Sequence, residues 1–175
     1  MRVMVLATLG TLMALSGGCN PISMAARTGA KIVKGVDADV LPIRDVTAGT
    51  LSGYNTLKLG KVSTDIGGLC PPEVISQIQR TAPEIFVEEA GKRFRGGPNV
   101  LQADICVRFF KKKGQIGGEG RLDLLVTLVD GNNGTEVGKL YVEGITESPL
   151  QTGSLDMVKK TTKKLAAYLD KRKKE

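Results

Sequence analysis

Strict alternation of apolar and polar residues marks three consecutive strands in the second half of the chain. In the first, Leu101, Ala103, Ile105, Val107 and Phe109 alternate with Gln102, Asp104, Cys106 and Arg108. In the second, Leu122, Leu124, Val126 and Leu128 alternate with Arg121, Asp123, Leu125, Thr127 and Val129. In the third, over 135–145, Leu140 and Val142 face one way and Lys139, Tyr141 and Glu143 the other. The connections are short and contain glycine. Asp130-Gly131-Asn132-Asn133-Gly134 is a strong turn signal, because Asn and Gly tolerate positive φ. An antiparallel meander is predicted. Residues 54–64 read as an earlier strand, with Leu57 and Leu59 opposed to Thr56, Lys58 and Gly60.

The spacing changes to helical in two places. After the Gly67-Gly68 break and Pro71-Pro72, residues Val74, Ile75, Ile78, Ala82, Ile85 and Phe86 fall on one arc. Pro83 lies inside this run and is expected to kink or divide the helix, since it lacks a donor and crowds the preceding turn. Gly96-Gly97-Pro98 ends the segment. The last helix is opened by Gly153-Ser154, with Ser154 as N-cap, and buries Leu155, Val158, Thr162, Leu165, Ala166 and Leu169. Lys159, Lys160, Lys163, Lys164, Lys171 and Lys174 line a neighbouring arc. The predicted fold is α+β: a mostly antiparallel four-stranded sheet in the order strand-helix-strand-strand-strand-helix, with both helices on one face.

The N-terminus follows another pattern. Residues 3–15 are nearly all apolar, and Arg2 is the one charge before Cys19. The run is too short to span a bilayer, which takes about 20 residues. A basic start, a short apolar core and the small residues Ser16, Gly17 and Gly18 make a secretory signal. The stretch Leu15-Ser16-Gly17-Gly18-Cys19 resembles a bacterial lipobox, with Ser16 where that signal usually has Leu. This resemblance implies cleavage before Cys19 and lipid on its sulfur; the alternative is an ordinary cleaved signal and a soluble exported product. The organisation is then a lipoprotein signal peptide over 1–18, a tether and irregular segment over 19–52 with room for one short strand, an α+β domain over 53–170 and a basic tail over 171–175. If Cys19 carries lipid, Cys70 and Cys106 remain as an even pair in an exported chain. They form either a disulfide or two separate thiols.

Composition restricts the chemistry. The chain has 175 residues, a formal charge of +7 and no histidine, which removes Ser-His-Asp and Cys-His catalysis. Two cysteines and scattered carboxylates make a poor zinc set. The glycines over 114–120 lie between strands, where a hairpin loop is the natural reading rather than a phosphate cradle. No catalytic residues, metal or cofactor are predicted, and the chain is expected not to be an enzyme. The basic C-terminal helix reads either as a solvated face or as a contact for anionic lipid headgroups. Nucleic acid is not an expected partner for an exported chain. The preferred binding surface is the sheet face away from the helices, with Asp104, Arg108, Arg121, Asp123, Lys139, Tyr141 and Glu143 around Leu125, Thr127 and Val129.

The acylatable N-terminus, the first strand starting at Tyr54 and the 122–131 strand-turn leading into Asn133-Gly134-Thr135-Glu136-Val137-Gly138 resemble small bacterial envelope lipoproteins. Those are similar in architecture to the TolB N-terminal domain and to the periplasmic domain of the curli-secretion lipoprotein. The resemblance implies a lipid-anchored, non-enzymatic binding or assembly subunit that meets an envelope protein or a second copy of itself. It carries over no site residues. Asn20 after the cysteine implies the outer membrane, facing the periplasm, rather than the inner membrane. An exported soluble domain that binds a small ligand is the alternative.

Overall fold

The structure is a computed structural model that describes residues 36–44, 46–47, 49–112, 118–146 and 153–175. The signal segment 1–18, Cys19 and most of the 114–120 loop lie outside those residues. The long elements are strand β1 (Val36–Arg44), strand β2 (Thr56–Thr64), helix α1 (Pro72–Ala90), strand β3 (Val100–Lys111), strand β4 (Gly120–Asp130), strand β5 (Glu136–Thr146) and helix α2 (Ser154–Lys174). The strands form one mixed sheet in the spatial order β1-β5-β4-β3-β2.

The α+β class and the β3-β4-β5 meander match the expectation, with two corrections to the sheet. It has five strands rather than four, because residues 36–44 pair antiparallel with β5. In β1, Val36 and Ala38 are buried while Asp37 and Asp39 are exposed, so the segment has a core face of its own. The second correction is that β2 and β3 run parallel, since α1 carries the chain back between them. Both helices cover the same face. Leu122, Leu124, Val126 and Leu128 of β4 are fully buried beneath them with Leu140 and Val142 of β5.

Helix α1 starts with Pro72 at its first position and buries Val74, Ile78, Thr81, Ala82, Ile85, Phe86 and Ala90. It is not divided at Pro83. Proline strips the donor for the carbonyl four residues back, and that residue, Gln79, is exposed, so water can serve its carbonyl. Helix α2 is capped by Gly153 rather than Ser154; the Gly153 N–H donates to Asp156 Oδ2 at 3.3 Å. Its buried stripe includes Met157 and Thr161 besides the predicted positions, while Leu155 is only half-buried. Thr161 is the reason β5 needs Gly144: a Cβ there would collide with the threonine hydroxyl.

Strands β1 and β2 hold opposite edges of the sheet, so the connection between them must cross it. The crossing runs on the helix side. Val46 and Leu51 are fully buried, and Val46 packs over Gly138, where an added Cβ would stand 2.6 Å from its methyl group. Lys173 of α2 donates to the carbonyls of Leu51 at 3.3 Å, Ser52 at 3.4 Å and Tyr54. Its ammonium also lies 4.9 Å over the Phe94 ring. Burial pulls the Lys173 pKa down from the usual lysine range. Two domain boundaries change as a result. Residues 36–52 contribute a strand and core side chains instead of an irregular tether, and residues 171–174 are helix that pins the crossing instead of a free tail.

Among the described residues, the buried hydroxyls of Thr161 and Thr162 have no partner at hydrogen-bond distance. A buried hydroxyl without a partner costs on the order of 1–3 kcal/mol. Valine has nearly the same shape and similar helix propensity. Thr162→Val is therefore expected to raise stability by about 1 kcal/mol, read as a higher urea midpoint at unchanged slope. A lower midpoint would show that the hydroxyl is satisfied.

Candidate functional site

The sheet face away from the helices has no described element packed on it, and the backbone register fixes what it displays. One row crosses all five strands: Leu41 opposite Tyr141, Tyr141 opposite Leu125, Leu125 opposite Cys106, and Cys106 beside Ser63. The next row holds Asp39, Glu143, Asp123 and Phe109. Phe109 is a correction. The alternation assigns it to the core, but a bulge between Val107 and Phe109 shifts the register, leaving it 43% exposed and turning Phe110 toward the core cluster.

Four of the seven predicted residues form one cluster here. Arg121 Nε donates to Asp123 Oδ1 at 2.9 Å and Oδ2 at 3.0 Å, and its Nη2 lies 2.7 Å from Glu143 Oε1. The Tyr141 hydroxyl donates to Asp123 Oδ2 at 2.8 Å. The Arg121 guanidinium also stacks 5.6 Å from the Phe109 ring centre. Exposure is graded: the Asp123 side chain is 3% exposed, Glu143 25% and Arg121 36%. The buried carboxylate thus acts as a base plate that aims the arginine and the tyrosine. Its hydrogen bond pushes the Arg121 pKa further up. Burial, then the hydrogen bond to Asp123, raises the Tyr141 pKa, so its phenol stays a proton donor.

The other three predicted residues lie apart from this cluster. Asp104 accepts from the Lys61 backbone N–H at 2.8 Å and from Gln102 Nε2 at 2.8 Å, which stitches β2 to β3. Arg108 pairs with Asp65 after the end of β2. Lys139 lies 3.5 Å from Glu136, which also meets Arg44 at 3.4 Å. Cys70 is buried at the start of α1, and burial raises its thiol pKa. Cys106 sits half-buried on the uncovered face, and the two are separate thiols in this structure. Sequence reasoning placed Leu125 and Val129 on this face but missed Leu41, 53% exposed, and Phe109.

A scan against protein-family models and a search of curated proteins give no match. Solved structures do show likeness. The PelC dodecamer of Paraburkholderia phytofirmans is 13% identical, with 77% of this chain and 97% of that chain covered at a TM-score of 0.47. A Xanthomonas campestris protein described under the family model DUF330 is 13% identical, with 73% and 90% covered at 0.44. A candidate lipoprotein of Caulobacter crescentus is 14% identical, with 71% and 88% covered at 0.36. None of these likenesses transfers a residue role.

Both sheet edges are guarded against strand addition. Strand β1 carries Pro42 and a register shift between Pro42 and Arg44. Strand β2 carries Lys58, Lys61 and a shift between Leu59 and Val62, and Asp104 occupies the Lys61 N–H. The flat face is left as the surface that can be covered without breaking the fold. It presents a fixed arginine–carboxylate–phenol array beside apolar side chains, which suits recognition. Among the described residues, no three His, Cys, Asp or Glu side chains are grouped to hold a metal ion, and no helix is long and apolar enough to cross a membrane.

Proposed function

We propose that this chain is a lipid-anchored protein of the bacterial envelope that works without catalysis, as a binding or assembly subunit. Its uncovered sheet face meets a protein partner, either another envelope protein or a second copy of itself. The observation that carries the reading is the Asp123-centred cluster. It holds Arg121 and Tyr141 in fixed positions on a face that no described element covers, and it lies beside exposed Leu41 and Phe109. The lipid on Cys19, the outer-membrane location facing the periplasm and the likeness to TolB-type and curli-secretion-type domains belong to the same proposal.

Expression in a bacterial host tests it, with wild type beside Cys19→Ala and beside Arg121→Glu combined with Lys139→Glu. The wild type is expected to carry diacylglycerol by intact mass, to pellet with membranes and to cross-link to a discrete partner. Cys19→Ala should be unmodified. The charge-reversed chain should pellet normally and lose the cross-link. A soluble, unmodified wild type, or a cross-link that survives charge reversal, would count against the anchor and the face respectively.

A further inference from the structure

We propose that the lysine arc of α2 docks on anionic lipid headgroups and holds the domain with its uncovered sheet face directed away from the membrane. The proposal rests on the lipid-anchor reading only for what brings the domain to the bilayer. Lys159, Lys160, Lys163, Lys164, Lys171 and Lys174 are all exposed. At 100° per residue they fall within an arc of about 140°. From Lys159 to Lys174 the arc runs along roughly 22 Å of the helix.

The acids near this arc leave it positive. Asp156 lies within it at the first turn, and Asp170, paired with Arg93 and mostly buried, lies within it near the end. Glu89 of α1 sits 3.1 Å from Lys163, and Asp39 of β1 sits 3.7 Å from Lys164, yet those lysine side chains remain 45% and 49% exposed. The exposed side of α1 is different: Glu73, Glu84 and Glu88 outnumber Arg80. The helix layer is therefore basic over α2 and acidic over α1, and only its α2 side suits an anionic surface. A single aromatic, Tyr168, lies on α2, and Arg172 already stacks on it at 5.4 Å. The arc offers charge without stacking platforms, which fits headgroups better than bases.

Chain length allows the anchor to reach the same side. Strand β1 is the edge strand beneath α2, as the Lys164–Asp39 contact shows. The chain enters β1 at Val36, 17 residues after Cys19, and such a length reaches at most about 60 Å. The helices and the uncovered face are on opposite sides of the sheet. A domain resting on α2 thus offers its Arg121–Asp123 cluster to the periplasmic space.

The test reconstitutes the full chain on vesicles of phosphatidylcholine alone or of phosphatidylcholine with phosphatidylglycerol. Lysines are then footprinted with an amine-acylating reagent and read by mass spectrometry. The α2 lysines are expected to be protected several-fold on the anionic vesicles only, with protection lost at high salt. Lys58 and Lys61, on the opposite edge strand, serve as the internal reference and should react equally on both. Equal modification of the α2 lysines on both vesicles would overturn the proposal. If the chain does not float with the neutral vesicles, the anchor reading fails by itself. Flotation with anionic vesicles then decides the arc. It should weaken on the order of a thousandfold when Lys159, Lys160, Lys164 and Lys171 are changed to Gln. No flotation, or flotation that survives those changes, would overturn the proposal.

Discussion

A chain that starts at residue 53 should lack a cooperative unfolding transition, whereas one that starts at Val36 should unfold in a single sharp step. The shorter chain loses β1, so Val142 and Leu140 of β5 face an open edge. It also loses Val46 and Leu51, which are fully buried, and the Leu51 and Ser52 carbonyls that hold Lys173. Each such aliphatic side chain is worth about 1.5–3 kcal/mol of burial. The sum of about 5 kcal/mol or more matches the whole stability of an ordinary domain. Urea titration followed by circular dichroism measures it. Equal midpoints for the two chains would mean that the first strand and the crossing contribute nothing to the fold.

The second large effect concerns the uncovered face. Asp123→Ala should cost about 2–3 kcal/mol, although it removes a side chain from the solvent side of the sheet. The carboxylate is almost fully buried and accepts from Arg121 and Tyr141. Its removal leaves the phenol with Arg121 as its remaining partner and the guanidinium with Glu143 as its remaining carboxylate partner. The partial exposure of Arg121 keeps the loss below that of a fully buried pair. Tyr141→Phe should cost about 1.5 kcal/mol, the low end for a hydrogen bond to a charged acceptor, because the site is half-buried. Changing Arg121 to Met and Asp123 to Leu together should cost less than Asp123→Ala alone, because the nearly buried carboxylate leaves with its partner and Glu143, 25% exposed, keeps water around its charge. A cost for Asp123→Ala within about 0.5 kcal/mol of zero would show that the three side chains are not coupled.

Much of the fold was legible because its signals are local. The alternation through β4 placed Leu122, Leu124, Val126 and Leu128 in the core and Arg121 and Asp123 opposite, as found. The 130–134 turn forms as its residues dictate: the Asn132 N–H donates to Asp130 Oδ1 at 2.8 Å and Gly134 takes φ +76°. What escaped is non-local. The Val36-Asp37-Ala38-Asp39 alternation is as clear as that of β4 but short, and only pairing with β5 makes it a strand. No residue type announces the bulge before Phe109, so the site's aromatic side chain was assigned to the wrong face. The parallel β2–β3 pair also depends on how α1 returns the chain, which periodicity does not encode. The cluster was visible as a list of residues on one face. Its hierarchy, with Asp123 beneath Arg121 and Tyr141, comes from register and packing.

The edge position of β1 also sets an order of events. Val36 pairs with Thr146, about 110 residues away, whereas the β4–β5 turn closes within a few residues. Contacts of such long range form late, because loop closure must precede them. A chain is made N-terminus first, so residues 36–44 wait unpaired until β5 has been made. During that interval β5 is itself a sheet edge, without the proline and bulge that guard the finished one. Docking of β1 is then the step that replaces an open sheet edge with a guarded one.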